Sequence, residues 1–418
     1  MLIMAQAMNP AFKILHITRS IDPVGGCEIY IRNLISECLR NNFEIALAVA
    51  NQPIDATENP ELTPHVIPNL SSFEHQNARK AVFELQPFLS EFSPDLIHIH
   101  DLHNPYVIDA CGQNYPTVKT TLNADAYCGG IDKYWYTSKK ECHYRLGYGC
   151  LAVAYLENCM SRHPKRSLEI ISIKKKALSA LKSIFKVIVP SEASKKIMIQ
   201  NGILAEQIAV IPLFANRDDQ TRIVPYPRRK PPKVLFMGRL RPYKGVSYLL
   251  RSLPLISQKC EIQILGDGEE RPALEKLTKE LGIMPQVQFL GSVPHNHVGA
   301  YLDDCAVLVV PSVYPDSFPT VGLEAMRHAR PVVGFRIGGI PEWLEDGQTG
   351  FLVESQNVHA LAEKLNRILE NPDRAEVMGL FGRNRFEERF TNEIHFETIS
   401  NLYQEAITAF ESKCTVAR

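Results

Sequence analysis

Short runs of β-branched and aliphatic residues alternate along this chain with stretches whose apolar positions recur every three or four residues. The first pattern predicts strands buried on both faces, and the second predicts helices burying one face. Their alternation points to parallel sheets with crossover helices. In the first half, strands are predicted over 13–17, 44–49, 95–100, 117–122 and 186–189, and helices over 28–40, 77–92 and 191–201. The second half repeats the theme, with strands over 233–237, 261–265, 287–290, 306–310, 331–335 and 350–353. Its helices are predicted over 245–257, 269–281, 320–328 and 358–370. Residues 216–232 carry four prolines and a cluster of charges without a period, which is a linker composition. The expected fold class is therefore α/β, with one doubly wound domain over 1–215 and another over 233–390. They are expected to face each other across a cleft lined by the carboxyl ends of their strands, where open α/β sheets bind ligands. Residues 391–418 are expected to form a C-terminal helix, periodic over 392–410, that crosses back to the first domain.

Composition narrows the function classes. A length of 418 residues suits two domains better than one core, and 45% hydrophobic with 22% charged residues is a globular balance. Lys plus Arg equals Asp plus Glu at 46 each, so net charge gives no reason to expect a nucleic acid partner. No apolar run reaches the length of a membrane span, and residues 1–9 lack the charged start and apolar stretch of a signal peptide. Those nine residues are expected to be a loose leader. Ten cysteines without a Cys-x-x-Cys pair suit reduced thiols and a cytoplasmic location.

The densest chemistry runs from Asp316 through Phe318, Pro319, Thr320 and Val321 to Glu324 and Ala325, entering a helix after a buried strand. Two carboxylates eight positions apart can both reach one ligand while the amides at the helix start favour an anion. Arg239, after Gly238, and Lys244, before Gly245, flank the turn after the first strand of the second half. A planar guanidinium and a compact ammonium both suit diphosphate oxygens. Gly338 and Gly339 make another turn at the same rim, and Gly25 and Gly26, after the opening strand, allow close backbone approach to a ligand. No full G-x-G-x-x-G occurs. Gly266–Asp267–Gly268 comes nearest and continues into Glu269 and Glu270, which would repel a pyrophosphate, so hydride transfer is disfavoured.

Together these residues resemble the retaining GT-B glycosyltransferases of the large family-4 group, over about residues 13–390 and most densely over 233–353. The resemblance implies two Rossmann-like domains and a transferase that moves a sugar from a nucleotide-diphosphate donor. The acceptor hydroxyl would belong to a carbohydrate, lipid-linked or small-molecule acceptor, in cell envelope polysaccharide, glycolipid or glycoconjugate biosynthesis. It implies no cofactor and no metal. Glu324 would hold the donor ribose, Asp316 the sugar hydroxyls, and Arg239 and Lys244 the diphosphate. The chain near Val293 would meet the nucleobase. Two departures stand out: Asp316 is one methylene shorter than the family's glutamate, and Pro319 replaces a frequent glycine, leaving Thr320 and Val321 to supply amides. A third is Asn123, with Ala124 and Asp125 following, where many members place a histidine. It is expected to orient the donor sugar, the alternative being a turn residue. The rival functions are a sugar-nucleotide isomerase or hydrolase, and a catalytically silent binding subunit.

Three weaker signals remain. His98 and His100 share a strand face with His103 close by, but no third ligand follows at metal spacing. Cys128, Cys142, Cys150 and Cys159 stand at irregular intervals, so buried structural cysteines are favoured over a zinc site; some members of the resembled group carry a cysteine-bearing insert here. Residues 162–186 hold eight Lys or Arg against Glu169 alone, with apolar residues at near-helical spacing. A solvated basic face is expected there, with peripheral contact to an anionic membrane surface as the functional alternative.

Overall fold

A computed structural model describes residues 12–22, 25–52, 62–130, 132–216 and 223–416. The leader over 1–9 and the start of the linker, 217–222, lie outside the described residues.

The first sheet contains β1 (Lys13–Thr18), β2 (Glu44–Val49), β3 (His65–Val66), β4 (Leu96–His100), β5 (Thr117–Thr120), β8 (Lys186–Val189) and β9 (Ile208–Val210). Between β5 and β8 the chain detours through a small antiparallel hairpin, β6 (Tyr134–Trp135) and β7 (Lys140–Glu141). The second sheet contains β10 (Lys233–Met237), β11 (Glu261–Leu265), β12 (Val287–Gly291), β13 (Val307–Val310), β14 (Val332–Phe335) and β15 (Gly350–Val353). Strand order is β3-β2-β1-β4-β5-β8-β9 in the first and β12-β11-β10-β13-β14-β15 in the second, all parallel. These are two Rossmann-like domains. Each reverses direction beside its first strand, at β1/β4 and β10/β13, and these switch points open the crevices where ligands bind.

The helices in chain order are α1 (Gly26–Arg40), α2 (His75–Phe92), α3 (Pro105–Asn114), α4 (Cys150–Glu157), α5 (Pro164–Ala180), α6 (Glu192–Gln200) and α7 (Val246–Ser252). They continue with α8 (Arg271–Glu280), α9 (His295–Asp304), α10 (Thr320–Arg327), α11 (Ile340–Trp343), α12 (Val358–Leu369), α13 (Pro372–Arg389) and α14 (Asn392–Val416). Helix α12 shows why the periodic reading works: Leu361, Ala362, Leu365, Ile368 and Leu369 make one buried stripe, and Asn357 caps it by accepting from the Ala360 amide. The helix expected over 245–257 ends at Ser252 instead, because Pro254 turns the chain into a 3₁₀ turn. The apolar pattern does not predict helices α3, α4, α9, α11 and α13 or the short strands β3, β6, β7 and β9.

Helix α14 lies against α1, β4 and β5 of the first domain. Its seam is polar in places. The Tyr403 hydroxyl meets His98 Nδ1 at 2.6 Å, and His395 Nδ1 donates to the Pro212 carbonyl at 2.8 Å. That bond fixes the His395 tautomer, so its Nε2 accepts from the Tyr30 hydroxyl at 3.0 Å. Burial lowers His395 to about 4 and His16 to about 3, so both rings are neutral in the folded protein.

The histidines correct one expectation. A third imidazole does accompany His98 and His100, but from the neighbouring strand: His16 pairs with His98 in register, and ligating atoms of the three lie within 4.8 Å of one another. Sequence spacing could not show this, because parallel strands join distant positions. His16 Nδ1 bonds His100 Nε2 at 2.8 Å, while the nitrogens of His98 bond Tyr403 and Thr120.

Candidate active site

Both switch points open onto one cavity of about 1290 Å³ between the domains. On the second-domain side, β10 is followed by Gly238, whose φ of +146° needs glycine, and the chain then passes to Arg239. Lys244 follows on a single 3₁₀ turn. After β13 the loop carries Ser312, Tyr314 and Asp316 and enters α10 at Thr320. Pro319 occupies the N-cap position of α10, so its missing N–H costs no helical hydrogen bond. Gly338 and Gly339 act from behind this loop: a Cβ on either would meet a carbonyl oxygen, of Asp316 at 2.2 Å or of Ser317 at 2.0 Å. The glycines let the 338–339 turn press against the loop and fix its course. Trp343 does the same for α10, its ring lying where a Cβ on Gly322 would come within 2.2 Å.

Across the cavity, α1 begins at Gly26. A Cβ on Gly25 would meet the Arg239 guanidinium at 2.6 Å, and one on Gly26 would stand 3.7 Å from the Thr320 hydroxyl. The starts of α1 and α10 therefore lie close together, with the Arg239 guanidinium against Gly25. Neither has a side-chain cap, so the partial positive charge of both is directed into the cavity.

The cavity wall brings together Gly25, Gly26, Asn123, Arg239, Lys244, Val293, Asp316, Phe318, Thr320 and Val321. Glu324 is not on the wall; it sits a turn into α10, and burial pushes its carboxyl up against the opposing effect of His295 and Arg327. Asp316 is tied: Lys244 Nζ lies 2.6 Å and Ser312 Oγ 3.2 Å from its Oδ2. Asn123 is also committed, its Oδ1 accepting from the Asp125 amide at 2.9 Å and its Nδ2 donating to Asp101 at 3.2 Å. Both its turn role and its place on the wall are thus present.

Residues that the sequence did not single out complete the first-domain side. Asp101 follows β4 at φ +38°, and its buried Oδ1 has no hydrogen-bond partner. Asp125 pairs with Lys174 of α5, and its Oδ2 lies 3.2 Å from His103 Nε2. Burial would push Asp125 up, but His103 and Lys174 hold it well below the carboxylate range. Burial also lowers His103, against the opposing pull of Asp125. Burial further pulls Lys119 down to about 8 despite Asp101 and Asp125 nearby. Lys174 corrects the picture of a wholly solvated basic face: it is buried and also donates to the carbonyls of Cys128 and Gly130 at 2.9 and 3.2 Å. Lys175 and Lys176 remain exposed. Among the described residues no helix is long and apolar enough to cross a membrane.

Comparison with known proteins decides the family. A model described as "Glycosyl transferases group 1" matches residues 218–385, and one described as "Glycosyltransferase Family 4" matches residues 24–219. The chain belongs to the GT-B glycosyltransferases. An uncharacterized glycosyltransferase of Methanocaldococcus jannaschii is 26% identical over 94% of this chain and 98% of its own length. The alpha-D-kanosaminyltransferase of Streptomyces kanamyceticus is 32% identical over 35% of this chain and 39% of its own. Among solved structures, a sucrose-phosphate synthase from Thermosynechococcus elongatus superposes with a TM-score of 0.73 at 21% identity, covering 95% of this chain and all of that one. Anabaena HepE in complex with UDP gives 0.69 at 19% identity, covering 94% of this chain and all of that one. In this GT-B glycosyltransferase, then, the expected fold and the transferase class both hold.

Proposed function

We propose that this enzyme transfers a sugar from a nucleoside-diphosphate donor to an acceptor hydroxyl with retention of anomeric configuration and without a catalytic metal. The observation that carries the reading is the pair of adjacent helix starts with Arg239 and Lys244 between two switch points. Fixed cations and backbone amides there suit a diphosphate, and they strengthen as it becomes a leaving group. The likeness to a protein that binds UDP supports the same donor class. The donor lies mainly on the second domain, its base near Val293 and its ribose over the start of α10, with Glu324 one turn behind the wall. Binding exchanges part of the Lys244–Asp316 pair for phosphate and sugar contacts. The acceptor lies mainly on the first domain, where Asp101 and Asn123 line the cavity. Its hydroxyl attacks the face the diphosphate leaves, and the hydroxyl proton passes to a phosphate oxygen. The setting is the cytoplasm, in polysaccharide, glycolipid or glycoconjugate assembly, and the exposed Lys175 and Lys176 face suits peripheral contact with an anionic membrane.

The test is transfer with a panel of sugar nucleotides and acceptors, with product configuration read by proton NMR. Transfer with retention, persisting through a brief EDTA exposure that strips free Mg²⁺ and Mn²⁺, supports the reading. Release of free sugar without acceptor favours a hydrolase, and binding without turnover a silent subunit.

A further inference from the structure

Residues 127–163 leave the first domain after β5 and return at α5. Their regular structure is the β6–β7 hairpin and α4, and Tyr144, Tyr148, Tyr155 and Leu156 are exposed. A detour with so little apolar burial is of the kind that needs a staple. Yet its tip holds a defined place against the second domain. Tyr134 is buried in the second-domain core, Gln356 donates to the Lys139 carbonyl at 2.9 Å, and Asp132 reaches the cavity wall.

Four cysteines sit at the joints of this detour. Cys128 follows the turn at 124–126, Cys142 follows β7, Cys150 opens α4 and Cys159 comes just after it. All are free thiols; Cys142 is buried while Cys128, Cys150 and Cys159 are partly exposed, which corrects the expectation of four buried structural cysteines. The irregular intervals conceal one cluster: all four line a single cavity of about 20 Å³, with Leu146, Val153 and Met160. The thiol of Cys159 has Cys128, Cys142 and Cys150 as its electrostatic neighbours. The segments touch closely, since a Cβ on Gly130 would meet the Cys159 carbonyl oxygen at 2.1 Å. The space is about that of one water, but largely apolar walls give water few partners. Four thiolates around one ion-sized space are the ligand set of a soft, tetrahedral divalent cation. Cationic partners are also in place. Lys133 is buried beside the cluster and donates to the Tyr144 carbonyl, its backbone N–H serves the Cys128 sulfur, and Lys174 holds the Cys128 carbonyl.

We propose that Cys128, Cys142, Cys150 and Cys159 bind one structural zinc ion that staples this detour and so holds Asp132 at the edge of the active-site cavity. Binding releases the four thiol protons to solvent and forms four Zn–S bonds. Among the described residues the four sulfurs are not already gathered as tightly as a bound ion requires, so binding draws them inward.

The experiment is metal analysis of the full-length protein, purified under reducing conditions from zinc-supplemented medium, with mercurial titration of its thiols. One zinc per chain is expected, released as four thiols react. Cys142→Ser and Cys159→Ser should lose most of it, while Cys414→Ser, at an exposed thiol, should keep it. Where a cysteine variant fails to fold, wild-type protein decides: chelation should speed proteolysis within 131–163 about tenfold, and added Zn²⁺ should reverse this. Folded wild type without zinc, or a mass showing disulfides among the four cysteines, overturns the proposal. Zinc content is read without substrate, so the result is independent of the transfer reaction.

Discussion

The second-domain wall of the cavity is shaped by the backbone at Gly238 and the start of α10, set by Gly338 and Gly339 behind it, and carries Arg239 and Lys244. The first-domain wall sets side chains there: Asp101, Asn123 and Asp125 line it, and with His103 and Lys174 behind them they hold one another from three separate stretches of chain. The difference follows from what each wall must meet. A diphosphate is the same in every donor, and close backbone approach answers it. An acceptor is particular, and side chains brought together by the fold answer that.

If this contrast is right, damage to the first-domain wall should fall on stability. Lys174→Met leaves Asp125 buried without its cation, and should cost about 3–5 kcal/mol in chemical denaturation. Lys175→Met and Lys176→Met, on the exposed side of α5, should stay within about 0.5 kcal/mol of wild type. Equal effects from all three would remove the distinction. Damage to the second-domain wall should fall on turnover instead. Arg239→Ala is expected to lose about 2–4 kcal/mol of transition-state stabilisation in kcat/KM, with a nearly unchanged unfolding midpoint. A stability loss as large as that of Lys174→Met would make Arg239 a structural residue.

The seam of α14 belongs to the first-domain pattern and adds a pH signal. His16 and His395 have folded values near 3 and 4, below the ordinary 6.5, so the unfolded chain binds more protons. Their contribution is intact above about pH 6.5 and is lost as pH falls toward the folded values, at about 2 kcal/mol per imidazole by pH 5. Denaturation at pH 7 and 5, in wild type and His395→Gln, checks the sign; the variant should show the smaller loss. The smallest effect is expected at Asn123, which sits on the boundary of the comparison. Because its oxygen caps its own turn and its amide serves Asp101, Asn123→Ala should cost about 1 kcal/mol of stability. A drop in turnover beyond that loss would give it a direct role in holding the sugar.

The contrast also explains what was legible in the sequence. Central strands are buried on both faces and show as apolar runs, so the inner strands of both sheets could be placed nearly to the residue, while the short edge strands β3 and β9 could not. Gly25, Arg239, Lys244 and residues 316–321 could be found because backbone anion binding demands glycines and cations at short, fixed offsets. Asp101, Asp125, Asp132 and Lys174 could not, because their partners are joined only through parallel register or across the detour. His16 escaped for the same reason. Glu324 shows the converse, a residue readable from its motif that stands behind the wall.

The central claim is that the adjacent starts of α1 and α10, with Arg239 and Lys244, form a diphosphate cradle. Calorimetric titration of UDP, GDP and ADP into wild type and Arg239→Ala tests it most directly. One of these nucleotides should bind the wild type, and Arg239→Ala should bind it about tenfold to a hundredfold more weakly while remaining folded. Absence of binding by all three, or equal affinity in the variant, would contradict the account.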